Sequence, residues 1–308
     1  MTKAQYLKNL TTPSGKIDVV LDTDTYNEID DQFALCYMLR STNKINIKGI
    51  CAAPYFNERS TSPKDGMERS YNEIFKLLKL AKSEEYSNVV YKGSETYLEN
   101  ETTPVESEAA DFMAELANKY SPEKPLYIVA IGAITNVASA ILKNPNIKEN
   151  CVVVWLGGHA THIDNPVFEF NMRQDVAAAR VVFGSGVPLV QLPCGGVVDR
   201  LAVSKFELEH WIKGKSELCD YLFESTVEEA EKWSPYETWV RVIWDISPIC
   251  WLLNDDEKFM RSKQTPVIMP EYDGSYSYDE NRNLMSYVYW LRRDAIFDDL
   301  FSKLKEFK

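Results

Sequence analysis

The run Val19-Val20-Leu21 carries an apolar strand straight into Asp22, Asp24, Asp30 and Asp31, after which Gln32 to Leu39 reads as a helix. A strand that ends on acids just ahead of a helix start points to an α/β fold, because that edge is where such folds place their ligands. Acids gathered there repel one another unless a cation, a shared proton or hydrogen-bond donors stand among them. Hard oxygen ligands suit Ca²⁺ or Mg²⁺ and leave a spare carboxylate to act as a base. Helix capping explains Asp30 as an N-cap and Asp31 as a first-turn acid. It leaves Asp22 and Asp24 without a reason, so metal-assisted chemistry is the stronger reading.

The first two-thirds of the chain alternates strand and helix patterns. Short runs rich in Val and Ile at Ile17–Leu21, Ile45–Ala52, Leu126–Ile131, Val152–Trp155 and Pro188–Leu192 read as buried parallel strands. Helical stretches fall between them at Asp31–Leu39, Met67–Ala81, Glu106–Lys119, Thr135–Leu142 and Gln174–Val182. The expectation is a mostly parallel sheet flanked by helices. Pro54–Gly66 is a long polar loop placed to line the site. From Val203 onward the patterns turn mostly helical, with a possible strand at Pro266–Met269 and a tyrosine-rich, hairpin-like stretch at Tyr272–Asn283. One domain over residues 1–308 is expected, with a helical cap region from about 203 to 308.

Charge and cysteine usage narrow the partners. The 34 basic against 46 acidic residues give a net charge of −12, and no Lys/Arg run supplies the footprint of a nucleic-acid or anionic-membrane surface. No stretch reaches the about 18 unbroken apolar residues of a membrane span, and Met1 to Lys16 has no apolar signal core. The 6 cysteines lie scattered in apolar runs without a Cys-x-x-Cys pair, as buried thiols of a cytoplasmic protein do.

Three further constellations fall at strand ends. Ile131-Gly132-Ala133-Ile134-Thr135-Asn136 is a glycine turn opening a helix, where a free carbonyl could meet a cation. Glu169-Phe170-Asn171 offers an acceptor and a bifunctional amide, suited to sugar hydroxyls or equally to tying down a loop. Asp245 is a lone acid among Trp239, Val240, Val242, Ile243, Trp244, Ile246 and Trp251. It precedes a helix whose expected N-cap is Ser247 with Pro248 first inside, and it needs a partner: a metal shared with Asp24 and Asp31, or an arginine such as Arg241. His159 and His162 invite a zinc reading but lack a third nearby nitrogen or sulfur ligand, which favours a loop role. Asp22-x-Asp24 is similar to the nucleophile motif of haloacid-dehalogenase phosphatases. Tyr26 stands where those need Thr or Val, so a Mg²⁺-dependent phosphatase using Asp22 is the alternative, beside a non-catalytic nucleoside or sugar binder.

Taken in order, Asp22-Thr23-Asp24 with Asp30-Asp31, then Gly132 to Asn136, then Glu169-Phe170-Asn171 with Asp175 to Ala179, and finally Asp245, the motifs resemble the inosine/uridine-preferring nucleoside hydrolase family over almost the whole chain. The resemblance implies a Rossmann-like sheet, a bound Ca²⁺, hydrolysis of the N-ribosidic bond of a small-molecule nucleoside, and a homodimer or homotetramer. It makes Asp24 a calcium ligand and general base, with Asp31, Asp245 and the Ile131 carbonyl completing the ligands. Asp30 would accept from the ribose 2′-hydroxyl, with Asp22 behind it, and Glu169 and Asn171 would hold the sugar. The spacer Thr25 to Ile29 is longer than the family's. Ala53 to Asn57 replaces the usual Gly-Asn, leaving Asn57 as the ribose contact. Ile163 falls where a sugar-binding Asn is expected, with Asn165 the nearest substitute. Trp244 stands where many members carry a His that protonates the leaving base, a position compatible with stacking on a purine.

Overall fold

Leu21 and its neighbours become a buried central strand because both of their faces are covered. The computed structural model describes residues 1–307. Its strands are β1 Ile17–Thr23, β2 Ile45–Ala52, β3 Val90–Tyr91, β4 Leu126–Ala130, β5 Cys151–Leu156, β6 Leu189–Leu192, β7 Ala202–Ser204, β8 Val240–Val242, β9 Met260–Pro266, β10 Met269–Pro270, β11 Tyr276–Ser277 and β12 Leu284–Leu291. The α-helices are α1 Lys3–Asn9, α2 Asp31–Leu39, α3 Pro63–Leu80, α4 Glu108–Leu116, α5 Thr135–Lys143, α6 Ile147–Asn150, α7 Phe170–Gln174, α8 Val176–Gly184, α9 Lys205–Trp211, α10 Glu217–Trp233, α11 Ile246–Leu252 and α12 Arg293–Leu304.

Eight strands form one sheet in the order β3-β2-β1-β4-β5-β6-β12-β9. All neighbours are parallel except the edge pair β12–β9. The expected mostly parallel sheet flanked by helices is therefore the fold. The C-terminal region carries α9 to α12 and also gives the sheet β9 and β12. Within the hairpin-like stretch only β11 is a strand, and it pairs with β10 just ahead of that stretch.

The strand pattern explains the two-sided core. Tyr127, Val129 and Ile131 pack on one face with α2 and α11, while Leu126, Ile128 and Ala130 pack on the other with α4, α5 and α8. Successive residues of a strand point to opposite faces, so a doubly covered strand is apolar throughout. Every residue of α2 is buried, as a helix without a polar face must be. Ser62 caps α3 with Pro63 as its first residue, which shortens the expected polar loop to about Pro54–Ser62.

Strand order reverses between β1 and β4, whose chains leave in opposite directions across the sheet. Such a switch point opens a crevice at the carboxyl ends of the strands. Asp24 follows β1 and Gly132 follows β4, so both lie at that crevice. Among the described residues, no helix is long and apolar enough to cross a membrane.

Candidate active site at the sheet switch point

The site begins with Asp22, the last acid still inside β1. Its Oδ1 accepts from Asn136 Nδ2 at 2.8 Å, and that amide also donates to Ala52 O at 3.2 Å. Asn136 Oδ1 accepts in turn from the Ser94 backbone and hydroxyl at 2.7 and 2.8 Å. The Thr135-Asn136 helix start is thus the bracket that fixes the end of β1. Thr135 Oγ1 donates to Asp175 Oδ2 at 2.7 Å, and Asp175 Oδ1 caps α8 through Ala178 N at 2.9 Å. Burial pushes the Asp22 carboxyl up to about 7, with the Asn136 bond pulling the other way. None of Asp22, Asp24 and Asp31 lines the neighbouring cavity, whereas Asp30 and Asp245 do.

Asp30, Asp31 and Asp245 cluster beyond Asp22, with Asp24 near enough to feel the charges of Asp30 and Asp31, and all four are buried. One oxygen each of Asp30, Asp31 and Asp245 lies within 4.8 Å of the others. Asp31 accepts from Thr23 Oγ1, which fixes its orientation. Asp30 makes no helix-capping bond; its Oδ2 accepts instead from the backbone of Trp244 at 2.9 Å and Asp245 at 3.3 Å. Capping therefore fails to account for Asp30. Gly132 is required beside Asp24, because a Cβ there would lie 2.8 Å from Asp24 Cγ.

Burial first, then the charges of its neighbours, raises Asp24 and Asp245 well above the ordinary carboxylate range. Asp30 and Asp31 are pushed up to about 6, burial again being the main cause. Both Asp24 oxygens and Asp22 Oδ2 are buried with no hydrogen-bond partner. Unpartnered carboxylate oxygens are costly in a protein interior. An all-oxygen donor set with unsatisfied acceptors is the environment that a hard divalent cation fits.

Beside the acids lies a cavity of about 180 Å³, lined by Asp30, Ile131, Glu169, Asn171, Trp244 and Asp245 among others. Six of the residues singled out in the sequence are brought together here. Glu169 is fastened by Gly158 N at 2.8 Å, Asn171 N at 2.9 Å and Met172 N at 3.0 Å. Asn171 Nδ2 donates to Ile131 O and Leu156 O, each at 3.1 Å, so its Oδ1 remains the amide's acceptor. The Ile131 carbonyl therefore already holds one hydrogen bond.

Two expected sugar contacts are not in this lining. Asn57 donates through Nδ2 to Asn27 Oδ1 at 2.6 Å, tying its loop to the aspartate spacer. Asn165 is exposed, in a left-handed turn with φ 50°, ahead of Pro166. The helix after Asp245 also starts earlier than expected. Asp245 itself is the N-cap, and Ser247 and Pro248 fall inside the first turn.

The cavity also holds Glu28 and Cys194, which carry no motif, and His159, which the sequence singled out only as half of a zinc-like pair. The lengthened spacer brings Glu28 to the boundary with a larger cavity of about 580 Å³, where it pairs with Arg241. Arg241 is thus engaged by Glu28 rather than by Asp245. His159 follows Gly157-Gly158 at the end of β5, as Gly132 follows β4, and that position is the signal the sequence offered for it.

The inosine-uridine preferring nucleoside hydrolase family model matches residues 19–285. A pyrimidine-specific ribonucleoside hydrolase of Citrobacter koseri is 38% identical over 84 residues, 27% of this chain and 26% of that relative. One of Enterobacter is 28% identical over 143 residues, 44% of each chain. The match thus spans less than half the length of these relatives. Among solved structures, a plant nucleoside hydrolase superposes with a TM-score of 0.76 at 17% identity, covering 94% of this chain and 99% of that one. A purine-preferring ribonucleoside hydrolase from Gardnerella vaginalis superposes at 0.74 and 19% identity, covering 94% and 98%. At such identities these likenesses speak for the fold, and the family model speaks for descent: this chain belongs to the inosine-uridine preferring nucleoside hydrolase family.

Proposed function

We propose that this chain hydrolyses the N-ribosidic bond of ribonucleosides to ribose and free base. The observation that carries the reading is the cluster of Asp30, Asp31 and Asp245, with Asp24 close enough to feel the charges of Asp30 and Asp31, beside a cavity walled by Glu169, Asn171 and Trp244. Asp24, Asp31, Asp245 and the Ile131 carbonyl would hold a divalent cation, for which many oxygen donors favour calcium. When bound, such an ion gathers a diol and a water and lowers that water's pKa.

Asp24 takes the proton of the attacking water. Asp30, already anchored by two backbone donors, accepts from the ribose 2′-hydroxyl. Glu169 and the Asn171 Oδ1 accept from the sugar's other hydroxyls. The oxocarbenium-like sugar that forms as the bond breaks is stabilised by the surrounding carboxylates. Attack by water without a covalent sugar intermediate gives inversion.

The Trp244 indole on the cavity wall offers a stacking surface to a purine, so inosine should outpace uridine. The names of the relatives pull both ways, pyrimidine-specific in Citrobacter and purine-preferring in Gardnerella. A homodimer or homotetramer fits the family resemblance. A cytoplasmic setting fits the six buried thiols, none of them in a disulfide.

The test is incubation with Ca²⁺ and a panel of inosine, adenosine, uridine, cytidine and 2′-deoxyinosine, with free sugar as the readout. Ribose from inosine, with 2′-deoxyinosine slower by a factor of roughly 10⁴ for want of the hydroxyl that Asp30 reads, is the expected result. No ribose from any ribonucleoside would refute the reading.

A further inference from the structure

His159 sits on a turn fastened at each polar backbone atom. Gln191 Nε2 donates to Gly157 O at 3.0 Å, Gly158 N to Glu169 Oε2 at 2.8 Å, and Cys194 N to Gly158 O at 2.8 Å. His159 N donates to Pro166 O at 2.8 Å, and Tyr276 Oη reaches His159 O at 3.4 Å. Gly158 takes a φ of 75°, a conformation that suits glycine. A turn so thoroughly held aims the side chain it carries.

The ring is held as well. Gly195 N donates to its Nδ1 at 3.0 Å. With Nδ1 an acceptor, the neutral imidazole carries its proton on Nε2. A second proton on Nδ1 would set N–H against N–H and break that anchor. The ring is therefore a fixed donor through Nε2.

We propose that His159 determines specificity at the sugar, donating Nε2–H to the 5′-hydroxyl of bound ribose; this rests on the nucleoside reading above. The sheet supplies the geometry. The acids stand at the end of β1 and His159 follows β5, two strands away across β4. At about 4.8 Å per strand the two walls are about 10 Å apart. A ribose held by its diol over β1 bridges that gap with its hydroxymethyl arm toward β5.

Hydrogen-bond supply points the same way. Glu169 offers only acceptors, and Asn171 spends both Nδ2 protons on backbone carbonyls. A hydroxyl both donates and accepts. The acceptors on that wall take its proton, and His159 supplies the donor for its lone pair.

The experiment compares kcat/KM for inosine and 5′-deoxyinosine in the unaltered protein, His159→Phe and His159→Gln. The unaltered protein should favour inosine about tenfold, the size of one neutral hydrogen bond. His159→Phe, which keeps a ring without the donor, should shrink that preference by raising KM for inosine and sparing 5′-deoxyinosine. His159→Gln should restore part of it, and the pH profile of kcat/KM should keep its shape in both variants. Equal losses on the two substrates would reduce His159 to a loop anchor and overturn the assignment, as would a vanished pH limb. Turnover of inosine by the unaltered protein tests the parent reading separately; without it the assignment falls too.

Discussion

Asp24 has two buried carboxylate oxygens and no hydrogen-bond donor for either. Its role as the proposed base makes Asp24→Asn the sharpest single change. The substitution should lower kcat by about 10³-fold, within the range general bases contribute. In chelator-treated protein it also removes a buried charge, so there the melting temperature should hold or rise. A variant with near-normal kcat would end the assignment. Gly132 tests the same carboxylate from behind. A methyl there would lie 2.8 Å from Asp24 Cγ, so Gly132→Ala must push that side chain aside. A displacement near 1 Å at a reacting group costs roughly 10²-fold in rate. Unchanged kinetics in Gly132→Ala would show that Asp24 has room to move.

The elements around these residues differ in how they hold them. Asn136, at the start of α5, serves Asp22, Ala52 and Ser94 at once. Asn136→Ala should therefore cost about 2–3 kcal/mol in urea unfolding, because it strands buried partners on three segments. A loss under about 0.5 kcal/mol would mean that the bracket is dispensable. Legibility from sequence followed the same division of labour. β1, β2, β4, β5 and β6 were visible because parallel strands covered on both faces are written in Val and Ile. β9, with the pattern Met-Arg-Ser-Lys-Gln-Thr-Pro, was not, because an edge strand shows one face to solvent and reads as polar. Ser247-Pro248 misplaced the start of α11, since the first-turn N–H groups of a helix are free and proline fits any of them. The acids stood out by type and spacing. Glu28 did not, and His159 did only as half of a zinc-like pair with His162, because a cavity wall assembled from β5 and an extended spacer exists only once the chain has folded.

For the molecule as a whole, a cation among the carboxylates would couple loading to stability. A ligand that binds only the folded chain stabilises it by about 2.7 kcal/mol at a hundredfold excess over Kd. Metal analysis of protein purified without chelator should find close to one calcium per chain, and chelation should lower Tm by several degrees. A Tm indifferent to chelation and readdition would remove the ion from the site. The strand order carries a different consequence, one of timing during synthesis. β9 leaves the ribosome before β12, yet it touches the sheet only through β12, which pairs with β6. Until Leu291 is translated, the nascent chain has an open β6 edge and a stranded β9 with nowhere to dock. A chain ending at residue 283 should therefore be found in the insoluble fraction while the full chain stays in solution. Recovery of a soluble, monomeric shortened chain would show that the sheet tolerates the gap. The last strand made is thus the keystone of the sheet's far side, and a ribosome that stalls before it releases a sticky fragment rather than a weakened enzyme.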